Sequence, residues 1–200
     1  MERDVFVQLI TRKVPKEALD YCIQLYEDQP FQFRLSKKRQ SKLGDYRFDP
    51  RAKSHTVTVN EDLHPYQFLI TYVHEVAHRR VHEQHRNLKP HGLHWKNEFR
   101  RLMLPLLRPE VFPNTVLGPL ARHMKNPKAS TSADPALMIA LKQFEANSER
   151  STIASLPLLA EFRFRKRYFR KLEVKRTRAL CLDLENKKRY LIPLVAEVDG

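Results

Sequence analysis

Five consecutive residues, His74-Glu75-Val76-Ala77-His78, form an H-E-x-x-H pattern, and that pattern has a mechanical meaning. On a helix, side chains four apart stand on one face about a turn from each other. Two imidazoles placed this way can hold one Zn²⁺ at roughly 2.0–2.1 Å. Glu75 follows the first imidazole and reaches a water at the metal from the side, where it would act as general base. The neighbouring residues predict the helix this chemistry needs. Pro65 suits a first helical position, where its missing N–H costs nothing. After it, Phe68, Leu69, Tyr72, Val73, Val76 and Ala77 recur at helical spacing.

Two histidines leave a zinc site incomplete, and six of the chain's nine lie between His74 and His94. His82 and His85 continue the face of His78, but geometry excludes them. At a rise of 1.5 Å per residue, His82 stands about 12 Å along the axis from His74, too far for one ion. A third donor must come from beyond a turn, and Pro90 marks one. Past it, His91, His94 and Glu98 share one face of a predicted second helix, whose apolar side is Trp95, Phe99, Leu102, Met103 and Leu106. The spacing leaves all three open as ligands. The metzincin pattern is absent, because Val81 stands where its glycine belongs.

The HEVAH run is followed, thirteen residues after His78, by His91-Gly92-Leu93-His94-Trp95. Together they resemble the SprT/Spartan family of zinc metalloproteases, which pairs H-E-x-x-H with a later H-G-x-x-[FW]. Lys42-Leu43-Gly44-Asp45-Tyr46-Arg47 and His55-Thr56-Val57-Thr58-Val59-Asn60 are similar to the strands that precede the family's zinc helix. The resemblance covers roughly residues 15–105. It implies His74, His78 and His91 as ligands of one catalytic zinc, Glu75 as the base, and a zincin-like α+β core of a small sheet plus the H-E-x-x-H helix. Gly92 would permit the turn that brings His91 round. The resemblance also implies protein substrates bound or crosslinked to DNA. Glu98 is the rival third ligand of a gluzincin-like site, and His94 and Tyr72 are candidates to assist an oxyanion.

Composition sets the outer bounds. Two hundred residues, 42% of them hydrophobic, can bury a core. Two cysteines, Cys22 and Cys181, argue against a disulfide framework and fit a reducing compartment. The charged start Met1-Glu2-Arg3-Asp4 lacks the apolar stretch of a signal peptide, and no apolar run reaches membrane-spanning length. A cytoplasmic protein without membrane partners is expected. Thirty-seven basic against twenty-three acidic residues leave a net charge of +14, which favours a polyanionic partner such as nucleic acid.

Along the chain, Pro15 opens a helix striped by Leu19, Cys22, Ile23 and Tyr26. Phe31, Phe33 and Leu35 alternate as a strand, as do Tyr46 with Phe48 and Val57 with Val59. Residues 34–53 hold eight basic and two acidic residues, net +6. The pattern assigns no element to 108–124. A metalloprotease domain is expected over 1–124 and a polar, proline-bounded linker over 125–135. A helix capped by Asp134-Pro135 then begins a C-terminal module over 136–200.

Within that module Phe162, Phe164, Tyr168 and Phe169 interleave with Arg163, Arg165, Lys166, Arg167, Arg170 and Lys171. Strands are expected over Ala179–Leu184 and Tyr190–Val195. Residues 161–190 carry twelve basic and four acidic residues, net +8. Such a surface suits phosphate neutralisation and base stacking, so these six bases are the expected contacts to single-stranded or crosslinked DNA. Where the family commonly ends in a cysteine-rich zinc ribbon, this segment has only Cys181, so a zinc-free β-module is expected. The expected activity is therefore a zinc endopeptidase acting on DNA-associated protein. Two other classes compete: a nucleic-acid-binding protein with a structural zinc, and a metal-dependent hydrolase of non-peptide bonds. An intact Glu75 counts against the first, since a closed structural site needs no base.

Overall fold

The computed structural model describes residues 1–39, 41–84, 89–144 and 152–198. The chain is mixed α+β and divides into two units, Met1–Ala129 and Ser130–Gly200. The division falls inside the polar 125–135 stretch. None of the described helices is long and apolar enough to cross a membrane.

The first unit begins with α1 (Arg3–Ile10) and α2 (Leu19–Asp28), the second entered through a 3₁₀ turn at Lys16–Ala18. A three-stranded sheet follows, made of β1 (Gln32–Ser36), β2 (Gly44–Asp49) and β3 (Ser54–Asn60). Its order is β1-β3-β2, with β1 parallel and β2 antiparallel to the central β3. Strand β2 is thus an edge. Helices α3 (Pro65–Gln84), α4 (Leu93–Met103) and α5 (Asn114–Lys125) complete the unit. Helix α5 lies in the stretch without a legible pattern, and it carries Pro119 within it.

Aromatic rings make the core that holds α3 to the sheet. Phe6 stacks on Tyr26 at 4.1 Å and meets Phe33 edge-on at 5.3 Å, while Phe33 meets Tyr72 at 5.8 Å. Such pairs add roughly 0.5–1.5 kcal/mol each beyond their buried area. Tyr72 is fully buried, and its hydroxyl donates to the Cys22 carbonyl at 2.9 Å. That engagement removes it as an oxyanion helper.

The basic run before β2 is folded back on itself. Asn60, buried at the end of β3, accepts from Ser36 Oγ and Arg39 Nε and donates to the carbonyls of Arg39 and Lys42. Asp45 forms ion pairs with Arg39, Lys42 and Arg47. Three of the eight bases in residues 34–53 therefore converge on one carboxylate, which reduces the charge this segment offers to a partner.

The second unit carries α6 (Pro135–Lys142), whose N-cap Asp134 accepts from the Leu137 N–H at 3.3 Å. A four-stranded antiparallel meander follows: β4 (Glu161–Phe164), β5 (Arg167–Val174), β6 (Arg178–Asp183) and β7 (Arg189–Pro193). Phe162, Phe169, Ala179, Cys181 and Ile192 alternate inward and form the core with Ile153, Leu194 and Val198. Cys181 and Cys22 are both buried free thiols, and burial pushes Cys181 up to about 11. Both behave as small apolar residues.

Candidate metal centre

Helix α3 presents His74 and His78 one turn apart, and His91 arrives from the turn that precedes α4. The three Nε2 atoms converge. His74 lies 3.2 Å from His91 and 3.2 Å from His78, and His78 lies 3.0 Å from His91. A neutral imidazole has one N–H in total, so three ring nitrogens facing one point cannot all satisfy each other. A cation at their centre satisfies all three. Two nitrogens held at 2.0–2.1 Å in tetrahedral geometry stand about 3.3 Å apart, close to the spacing found. His74, His78 and His91 can hold a metal ion, and they are the sole such group among the described residues.

His91 does not sit on α4 as the helical spacing suggests. Its φ of 57° places it in the left-handed region before the helix begins at Leu93. The turn is closed by the Gly92 N–H donating to the Lys89 carbonyl at 3.0 Å. Gly92 itself has an ordinary φ of −72°, so the left-handed turn expected of it belongs to His91. Glycine is needed for space instead, because a Cβ there would lie 2.9 Å from the Lys89 oxygen.

The rival donors point elsewhere. Both Glu98 oxygens accept from Arg101, at 2.7 and 2.9 Å, and Arg80 approaches the same carboxylate at 3.9 Å. His94 is exposed. The His82 ring packs against Phe48 at 4.6 Å and Tyr46 at 5.7 Å, outside the donor group. His85 lies outside the described residues.

Trp95 forms the wall of the site. Its ring lies 4.6 Å from His74, 5.3 Å from His78 and 4.7 Å from His91, and its far face stacks on Phe99 at 5.0 Å. Its Nε1 donates to the His74 carbonyl at 3.4 Å. The sequence pattern assigns Trp95 to the apolar side of a helix, and its four-residue spacing from His91 is the signal for its second role. No family model, curated protein or solved structure matches the chain.

Burial sets the electrostatics. It holds His74 far below the usual histidine range, helped by the like charges that His78, His91 and His123 would carry. Burial likewise lowers His78 to about 3 and depresses His91. All three rings are therefore neutral at pH 7, the form that ligates a metal. His123 on α5 is itself 3% exposed, and nothing in the sequence marks it as a neighbour of the site. Glu75 goes the other way. Burial, aided by the negative charge of Asp45, raises it to about 8, against the opposing Tyr46 backbone hydrogen bond and the charges of Arg39 and Lys42.

In the second unit the six expected DNA contacts divide. Lys171 is 3% exposed, and its ammonium donates to the carbonyls of Ile153 and Leu156 at 2.9 and 2.5 Å. It is an internal strut, because alternation along β5 turns it inward, and no phosphate can reach it. Arg170 pairs with Glu161, and Arg167 with the buried Asp183. Arg165 and Lys166 form the tip of the β4–β5 hairpin at φ of 49° and 68°, a conformation that costs non-glycine residues of order 1 kcal/mol or more. Around this tip the guanidinium of Arg165 covers Phe164 at 5.2 Å and that of Arg167 covers Tyr190 at 5.0 Å. Arg163 lies 6.0 Å from the ring of the exposed Tyr168. Phe164, Arg165, Arg167, Phe169 and Tyr190 line a cleft of about 280 Å³.

Proposed function

We propose that the protein is a zinc-dependent endopeptidase of the H-E-x-x-H type, SprT-like in its core, which acts on proteins associated with DNA. The observation that carries the reading is the convergence of the His74, His78 and His91 Nε2 atoms beside a buried Glu75. An all-imidazole, neutral donor set suits zinc better than calcium or magnesium, which prefer oxygen.

At these three nitrogens a zinc ion would supply Lewis acidity toward a peptide carbonyl and would acidify a water to near pH 7. Glu75 takes up the proton of the attacking water on its carboxylate and delivers it to the departing amine nitrogen. Its high affinity for a proton, near 8 without a cation, suits it to hold the proton between those steps. A cation beside it lowers that value and keeps the carboxylate ready to accept. Trp95 and Phe99, both buried, exclude water from the face of the imidazoles they cover. Edge strand β2 has no strand partner on its outer side among the described residues, and apart from the Tyr46 N–H that Glu75 engages its outer backbone would dock an extended peptide by β-augmentation.

Binding to DNA falls to the hairpin of the second unit. Its two cations at a strained tip, with arginines stacked on aromatic rings beside a cleft, suit phosphate contact and base stacking. The zinc-loaded protein, given a mixed protein substrate with and without single-stranded DNA, tests the reading. Cleavage that rises with DNA and vanishes in Glu75→Ala is the expected result. Cleavage indifferent to Glu75, or none in either condition, contradicts it.

A further inference from the structure

Glu75 is fixed from a second direction, by the sheet. Strand β2 passes α3 so closely at Gly44 that a Cβ there would lie 2.7 Å from Thr71 Cγ2, 2.9 Å from Glu75 Oε1 and 3.0 Å from Glu75 Cγ. Both side chains are buried, at 6% exposure each. Two residues on, the Tyr46 backbone N–H donates to the Glu75 carboxylate.

Aromatic contacts hold the strand against the helix. The Tyr46 and Phe48 rings pack on His82 of α3 at 5.7 and 4.6 Å. His55 of β3 stacks on Tyr46 at 5.9 Å and meets Phe48 at 4.7 Å, and the Tyr46 hydroxyl is 2.7 Å from His55 Nδ1. The aromatic group locks β2 on α3 one turn beyond His78, and the glycine lets the same strand close down over Glu75.

We infer that Gly44 and the Tyr46 backbone are positioning elements for Glu75: Gly44 leaves the space its side chain occupies, and the Tyr46 N–H sets the rotation of its carboxylate. A glutamate on an open helix face samples several rotamers and loses that freedom at a cost. Here the loss is already taken by the fold, as a preorganised base requires. Strand β2, and not α3 alone, determines where the proton is taken up. The inference rests on the role of Glu75 as base proposed above.

The test is amide hydrogen exchange at Tyr46 in the full chain without added metal, joined to kinetics of the zinc-loaded protein. Exchange at Tyr46 should quicken roughly tenfold or more in Glu75→Ala and in Gly44→Ala, while the Val57 amide of the central strand stays as in wild type. Zinc-loaded Gly44→Ala should keep its zinc and its KM and lose roughly tenfold to a hundredfold in kcat, the scale of a small misplacement. Adding Thr71→Ser removes the methyl of the 2.7 Å contact, so it should restore stability without restoring kcat. Should Gly44→Ala fail to fold, the double variant replaces it; should both fail, Tyr46 exchange in Glu75→Ala decides. Tyr46 exchange indifferent to Glu75→Ala overturns the inference, as does recovery of kcat by Thr71→Ser. If the wild type cleaves nothing while Tyr46 exchange responds as stated, the positioning stands and the peptidase reading falls.

Discussion

The indole of Trp95 stacks on the imidazole of His78, with centroids 5.3 Å apart and 24° between the planes. The same indole touches His74 and His91, so one ring senses all three donors. Trp95 is the chain's single tryptophan. Intrinsic emission therefore reports on the site without a label. Titrating Co²⁺ into the chelator-treated protein should quench it and saturate at one equivalent, and His91→Ala should abolish that saturation. Emission unchanged after several equivalents would place the metal elsewhere.

His91 and Glu98 separate two kinds of zinc site. His91→Ala should weaken zinc binding by more than the roughly 10–100-fold that loss of an outer partner costs. Glu98→Ala should keep the zinc and lose its pairings with Arg101 and, at 3.9 Å, Arg80; the pair with Arg101, which is 59% exposed, contributes about 1 kcal/mol or less. Zinc lost from Glu98→Ala and kept by His91→Ala, measured by chelator competition, would reverse the assignment.

Glu75 gives the metal-free protein a pH signature. Its carboxyl is raised from 4.5 to about 8 on folding. A raised value stabilises the fold fully below the unfolded value and loses that contribution as pH rises through the folded one. The window is thus about pH 4.5 to 8. Over it, Glu75→Gln should gain thermal stability relative to wild type as pH rises, with a constant difference above. The buried histidines act oppositely: His78, lowered to about 3, withdraws stability as pH falls below 6.5 in both proteins and cancels in the comparison. A difference flat from pH 4.5 to 8 would mean that Glu75 is not buried as described.

The hairpin tip offers a test of strain kept for binding. Arg165→Asn with Lys166→Gly places the residues that favour positive φ at both turn positions. Thermal melting should show a gain of about 1–2 kcal/mol, with weaker binding to single-stranded DNA. With Lys171 internal and Arg167 and Arg170 paired, Arg163, Arg165 and Lys166 remain for phosphates. At about −0.7 per phosphate, log affinity should fall against log salt with a slope of roughly −2. A gain in stability with unchanged DNA binding would show that the tip is not the contact.

The H-E-x-x-H pair was legible because it depends on one helix and one period, and Pro65 at the start of α3 sits where its chemistry puts it. Strands β1 to β3 and β4 to β7 follow from two-residue alternation. What alternation does not reveal is pairing across the chain. Asp45 gathers Arg39, Lys42 and Arg47, and Lys171 turns inward onto two carbonyls, so charge counted along the sequence overstated the charge available. Helix α5 escaped because Pro113 and Pro119 mask its stripe of Val116, Leu120 and Met124. The spacing of His91 to His94 and Glu98 fits a helix. The backbone instead takes a left-handed step at that residue, which side-chain spacing cannot signal.

The central claim, that three histidines hold the metal while Glu75 handles the proton, is tested most directly by one comparison. Wild type and Glu75→Ala are loaded with zinc to equal content, and cleavage of an unfolded protein substrate is followed for both. The account predicts one zinc per chain in each, with cleavage by the wild type and a loss of roughly a hundredfold or more in the variant. Zinc that cannot be retained without Glu75, or equal cleavage by the two proteins, would contradict it.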